Sequence, residues 1–134
     1  MARFGYRSSI NDRHRDEHIR DTEVIVHDLR DIRRWGIQSC VTGALATVAR
    51  AELDGFWLHF DVDVLDEDLM RAVDYREPDG LTWEEVAQVV SATADTGRLV
   101  GLQVTIYNPS LDDPGSPRAA QIVDLLTASL SVGP

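Results

Sequence analysis

Apolar and polar positions along the chain follow two rhythms in turn. "GFWLHFDVDV" is nearly all apolar up to Phe60, the mark of a strand covered on both faces in a parallel sheet. "RFGYRSS" reads as a short first strand, "TEVIVHDL" has the β-branched content of a second, and "RLVGLQVTIYNP" is a further strand stopped at Pro109. Between them the period lengthens. "VTGALATVARAEL" places Val41, Leu45, Val48 and Glu52 at helical spacing, with three apolar positions toward a core. In "LTWEEVAQVVSATADTG", Thr82 and Glu85 form a capping box, Gly97 terminates the helix, and Trp83, Val86, Ala87, Val90 and Ala94 make one apolar stripe. "SPRAAQIVDLLTASL" takes Ser116 as cap and Pro117 at the first helical position, with an apolar face through Ala119, Ile122, Val123, Leu126 and Leu130. The charge-mixed "INDRHRDEHIRDTE" reads as a loop or a solvated helix. Strands alternating with helices predict βαβ units, and so an α/β fold: three layers, α/β/α, around a parallel sheet of about four strands. No repeat or linker divides residues 1–134, which are expected to form a single domain.

Composition narrows the chemistry. The formal charge is −10, and residues 1–35 hold eight Arg against seven acids, so the negative excess lies beyond Trp35 and nucleic acid is not an expected partner. All thirteen basic residues are Arg, which excludes a Schiff-base lysine, a phosphate-loop lysine and a lysine general base. Cys40 is the single cysteine and no charged-then-apolar leader opens the chain, so the expected setting is the reducing cytoplasm. No apolar run reaches the roughly 18 residues of a membrane span. Neither "GxSxG" nor "GxGxxG" occurs, which leaves serine-hydrolase and dinucleotide-binding readings without support.

The acidic end of the greasiest strand is the first candidate site. If that strand runs to Val64, Asp61 and Asp63 share a face with Trp57 and His59 at its carboxyl end, where open α/β sheets bind ligands. Two like charges held a few Å apart repel unless a cation or proton lies between them, and hard divalent cations suit carboxylate oxygens. By spacing alone the pair serves equally well to finish a strand and cap the turn "LDEDLM".

The context is more specific. "HFDVDVLDE", then "REPDGLTWEEV", then "GLQVTIYNPSLD" occur in the order and at the spacing of the arginase and agmatinase family of ureohydrolases, which this chain resembles over almost its whole length. "FGYR" is similar to that family's "IGxRD" strand. The resemblance implies a partial arginase-like fold and a metal-dependent hydrolase of non-peptide C–N bonds. It also implies a binuclear Mn²⁺ site, with Asp61 and Asp63 at the positions of two strand-end aspartate ligands. In such enzymes a metal-bridging hydroxide attacks the guanidinium carbon.

The departures matter as much. The family's "GGDHS" and "DAHxD" phrases, which supply four of its six usual metal ligands, do not occur, so the chain is expected to be the C-terminal part of such a domain and inactive alone. Ile106 in "TIYNP" replaces the usual guanidinium-pairing Glu, Asp79 replaces a glycine, and Glu67, Arg71 and Arg76 stand where Pro is usual. Of the remaining candidates, His59 is expected to be a buried, hydrogen-bonded histidine of the core or behind the metal site rather than a ligand. Asp66 is a candidate to support the ligands, and Glu77 and Gly80 are substrate-loop candidates. His14 and His18 have i,i+4 spacing, suiting either a solvated surface or a metal, and Cys40 is expected to be a small buried group. Expected partners are a missing N-terminal half or a second copy meeting at an open sheet edge. The alternative to a hydrolase is a non-catalytic remnant or interaction module using that edge.

Overall fold

A computed structural model gives the arrangement of the chain and describes residues 1–6 and 22–131. Strands β1 (Ala2–Tyr6) and β2 (Ile25–Asp28) pair in parallel, with Phe4 opposite His27. Strands β3 (Phe56–Asp61) and β4 (Leu99–Thr105) form a second parallel pair, with Leu58 opposite Leu102 and Asp61 opposite Thr105. Among the described residues four helices connect and cover them: α1 (Leu29–Trp35), α2 (Ile37–Val48), α3 (Trp83–Asp95) and α4 (Pro117–Leu130). The fold is α/β with parallel strands, as the alternating periods predict. The strands form two separate two-stranded ladders rather than one continuous sheet among the described residues. Their close approach is at Gly5, whose φ of 67° no β-branched residue tolerates easily and whose missing Cβ makes room for the Val64 side chain just beyond β3.

Local chemistry sets the helix ends. Asp28 caps α1 by accepting from the Asp31 amide at 2.9 Å. The capping box of α3 is complete: the Glu85 amide donates to Thr82 Oγ1 at 3.2 Å, and the Thr82 amide to Glu85 Oε2 at 2.9 Å. Arg33 then ties α1 to this corner, donating to Glu85 Oε1 and, at 2.8 Å, to the Gly80 carbonyl. Helix α4 departs from expectation at both its cap and its face. Ser116 sits in the left-handed region at φ 54° and makes no side-chain cap bond. Its place is taken by Asp112, which accepts from the amides of Arg118 at 3.1 Å and Ala119 at 3.2 Å and from the Tyr107 hydroxyl at 2.9 Å. Of the predicted face, Ile122 is buried and Leu126 and Leu130 pack against the core, but Val123 is 60% exposed and Leu125 is buried instead.

One core joins these elements. Ile32, Cys40 and Val41 of the first two helices meet Phe60 of β3, Val86 and Val90 of α3, and Ile122 and Leu125 of α4. The long connection from β3 to α3 joins the helices in this core: Val62, Met70 and Ala72 are fully buried and Leu65 nearly so. A loop that buries such side chains behaves as core. Burial raises the pKa of the Cys40 thiol, with the Asp31 charge adding to the effect, so Cys40 is the inert buried group expected.

The two faces of the β3–β4 pair differ sharply. Leu58, Phe60, Leu102 and Val104 turn into the core. Trp57 on the other face is 60% exposed, and the His59 side chain 53%. The strand expected to be covered on both faces is covered on one among the described residues. The candidate pair His14 and His18, and most of the charged stretch around it, lie outside the described residues. No described helix is long and apolar enough to cross a membrane.

Two outcomes follow for stability. Leu65→Ala, in the buried connection, is expected to cost about 2–5 kcal/mol in denaturant unfolding, against roughly 0.5 kcal/mol or less for the exposed Val123→Ala. The Asp112 carboxyl is opposed by desolvation, but the Ala119 amide, the Tyr107 hydroxyl and the amides of Arg118 and Asp113 outweigh it and hold its pKa below the ordinary value. A carboxyl with a depressed folded-state pKa stabilises the fold above its unfolded value and loses that contribution as pH falls through the folded one. Asp112→Asn should therefore lower the thermal midpoint at neutral pH, and the gap to wild type should narrow on acidification below the ordinary aspartate range.

Candidate metal centre

Strand β3 ends at Asp61, at φ −81° and ψ 118°, and the chain turns at once into a single 3₁₀ turn over Val62–Val64. Asp63 therefore belongs to that turn, and the strand alternation that would have put it on the same face as Asp61 stops one residue too early. The two carboxylates still leave the same end of β3, two residues apart, anchored by Val62, which is fully buried.

Asp61 is held by its neighbours across the ladder. Thr105, directly opposite on β4, donates its hydroxyl to Asp61 Oδ1, and His59 Nε2 lies 3.3 Å from the same oxygen. His59 Nε2 is also 3.4 Å from Thr105 Oγ1, and its Nδ1 is 3.4 Å from Gln103 Oε1, the side chain opposite it in register. His59 is thus not buried as expected. It stands on the open face and touches Asp61, which it reaches because residues two apart on a strand share a side. Both contacts fall on Oδ1, and they fix how the carboxylate is turned.

The following loop is closed by the other candidates. Asp66 Oδ1 accepts from the Asp68 amide at 3.0 Å and Oδ2 from the Gly80 amide at 3.3 Å, so this carboxylate staples the loop to itself. Gly80 in turn gives its carbonyl to Arg33 at 2.8 Å. The Glu77 side chain lies on the exposed part of the loop, and its carbonyl accepts from the Glu67 amide at 3.2 Å. Asp79 adopts φ 62° in place of the glycine, a conformation that aspartate tolerates. Ile106, directly after Thr105, has φ 72°, a strained setting for a β-branched residue, and it is 46% exposed.

Thr105 and Gln103 escaped the sequence reading. The period-two pattern of "LQVT" would have placed them on one face of β4, but only the register shows that this face lies against His59 and Asp61. His27 stands apart, stacked on Phe4 with ring centres 5.4 Å apart.

By donor type, Asp61 and Asp63 suit a hard divalent cation. By number they fall short of a full ligand set. Among the described residues no group of three or more His, Cys, Asp or Glu is placed to hold a metal ion, whereas such an ion takes about six ligands, with water filling only some of the places. The described residues therefore do not by themselves make up a metal site.

The sequence profile of the Arginase family matches residues 1–130. The chain belongs to the arginase family. Arginase of Brucella abortus is 34% identical over 114 residues, covering 85% of this chain and 37% of that protein. Among solved structures, arginase from Bacillus subtilis superposes at a TM-score of 0.86 with 22% identity, covering 98% of this chain and 45% of the other. Formimidoylglutamase from Bacillus subtilis does so at 0.84 with 23% identity, covering 99% and 42%. The fold is thus arginase-like and partial: the chain spans less than half the length of the proteins it matches. Two solved relatives with different named activities share it equally well, so the fold alone does not select a substrate.

Proposed function

We propose that this chain is the part of an arginase-family, ureohydrolase-like hydrolase that delivers two carboxylates, Asp61 and Asp63, to a Mn²⁺ site acting on non-peptide C–N bonds, and that it is inactive alone. The observation that carries this reading is the delivery of both residues from the end of β3, with the Asp61 carboxylate oriented by Thr105 and His59. The reading is further supported by the family match over residues 1–130. The remaining ligands come from elsewhere, because the described residues supply none. A missing N-terminal half is the natural source, given the share of the matched relatives left uncovered. The chain's own residues bind and orient at this stage: Asp61 and Asp63 offer oxygen donors, His59 and Thr105 position one of them, and Asp66 closes the adjoining loop.

Substrate choice turns on Ile106. Its side chain cannot pair with a guanidinium, and an unpaired buried cation costs several kcal/mol. The substrate of the completed site therefore need not be arginine. A second reading, a non-catalytic module that associates through the β3–β4 pair, is favoured by one observation: each of these strands is hydrogen-bonded on a single edge. A reducing cytoplasmic setting fits the lone, buried Cys40.

Manganese titration of the isolated chain, followed by electron paramagnetic resonance, separates these readings. Weak Mn²⁺ binding that Asp61→Ala and Asp63→Ala each reduce, with no urea or ammonia released from guanidino or formimino substrates, is the expected result. Mn²⁺-dependent hydrolysis by the isolated chain would contradict the incomplete site. Binding unchanged in both variants would remove the aspartates from it.

A further inference from the structure

We propose that Arg33, on α1, is a positioning residue for Asp63, acting through the peptide group between Gly80 and Leu81 that holds the turn carrying this aspartate. The proposal rests on the reading that Asp63 offers a metal donor, and it adds to that reading a residue from outside the end of β3.

A 3₁₀ turn of three residues is too short to hold its own shape, so the direction in which Asp63 leaves the chain depends on what grips the chain on either side. Before the turn, Val62 is buried and Asp61 lies in the β3–β4 ladder. After it, the grip comes from a segment some fifteen residues further along. The Leu81 amide donates to the Val64 carbonyl at 2.9 Å, the Asp66 amide to the Leu81 carbonyl at 3.1 Å, and the Gly80 amide to Asp66 Oδ2 at 3.3 Å. Leu65 and Leu81 pair as a parallel bridge, and both are buried. Residues 64–66 are thus laced to residues 80–81, and the way the second pair is turned sets the way the first one faces.

Arg33 fixes that orientation. Its guanidinium donates to the Gly80 carbonyl at 2.8 Å. This oxygen and the Leu81 N–H belong to one planar, rigid peptide group, so they point in opposite directions and turn together. Arg33 therefore holds one end of a plane whose other end grips Val64, the residue after Asp63. The bond is charge-assisted, and polarising the carbonyl strengthens the N–H at the far end. Gly80 is buried, where an acceptor deprived of its partner is costly. The second arm of the guanidinium donates to Glu85 Oε1, while Glu85 Oε2 closes the capping box on the Thr82 amide. A planar fork spans the two acceptors, which a lysine ammonium would not reproduce. Arg30, one turn earlier on α1, instead pairs with its near neighbour Asp28.

Charge and position predict opposite signs. If Arg33 acted only through its field, removing a positive charge would tighten the binding of a cation. If it supports Asp63, removing it weakens that binding.

The test titrates Mn²⁺ into the full chain, followed by electron paramagnetic resonance, with amide exchange measured by NMR in parallel. Arg33→Ala, shown by circular dichroism to be folded, is expected to bind Mn²⁺ about threefold or more weakly than wild type, and its Leu81 amide to exchange about tenfold faster while the β3–β4 ladder exchanges as before. Arg30→Ala should leave both readings unchanged. Glu85→Gln, which removes the ion pair between α1 and α3 but keeps the bond to Gly80, should lower the thermal midpoint and leave Mn²⁺ binding within about twofold of wild type. Unchanged or tighter Mn²⁺ binding by Arg33→Ala would overturn the proposal. So would an equal loss in Glu85→Gln, which would make Arg33 a link between helices and nothing more. Should Asp63→Ala itself leave Mn²⁺ binding unchanged, the metal reading fails, and Leu81 exchange then decides whether Arg33 holds the turn: faster exchange in Arg33→Ala supports it, and unchanged exchange overturns it.

Discussion

The parallel pairing of β3 with β4 is the constraint on which the rest of this structure depends. It sets Asp61 opposite Thr105 and His59 opposite Gln103, so that one carboxylate is turned and held by side chains from two strands. It also divides the pair into a face that packs into the core through Leu58, Phe60, Leu102 and Val104 and a face that does not. The helix between the two strands, α3, begins at a capping box that Arg33 links to α1, so the crossover and the first helix are fixed together. The site at the end of β3 is stiff for the same reason: the turn that carries Asp63 is pinned by Val62 and by the buried connection behind it.

This architecture holds the Asp61 carboxylate in a fixed setting at the end of β3 without gathering a ligand set around it. Orienting a carboxylate with a hydroxyl and an imidazole is what metal sites require of the residues around their ligands. Supplying enough ligands is a separate requirement, and it is not met by the described residues. The chain spans less than half the length of the proteins it matches, and among the described residues the face beside Trp57 is open.

Much of this was legible in the residues. The capping box at Thr82 and Glu85 was read correctly because it is a local device, and the position of Asp61 at a strand end followed from an apolar run meeting an acidic one. The errors share a cause in tertiary contacts. Ser116 has the right chemistry for a cap, but Asp112, four residues earlier, folds back to do the work, which spacing rules cannot foresee. Val123 was placed on the apolar face of α4 with Ile122, Leu126 and Leu130, yet it is exposed and Leu125 is buried instead. A shared face for Asp61 and Asp63 required the strand to run to Val64, whereas the 3₁₀ turn begins at Val62, whose side chain is buried. His59 was expected to be buried because it lies two residues further into the strand than Asp61, and it is exposed because no described element covers that face.

The central claim is that the β3–β4 pair and its covered face form a stable half of the fold that presents Asp61 without help. Native-state hydrogen exchange on the isolated chain tests it most directly. The account predicts that the ladder amides between β3 and β4 and the amides of α3 are the slowest to exchange, limited by global unfolding, with the β1–β2 ladder opening at lower free energy. Fast exchange throughout β3 and β4 would contradict it, because the strand that carries Asp61 would then be unformed until a partner arrived.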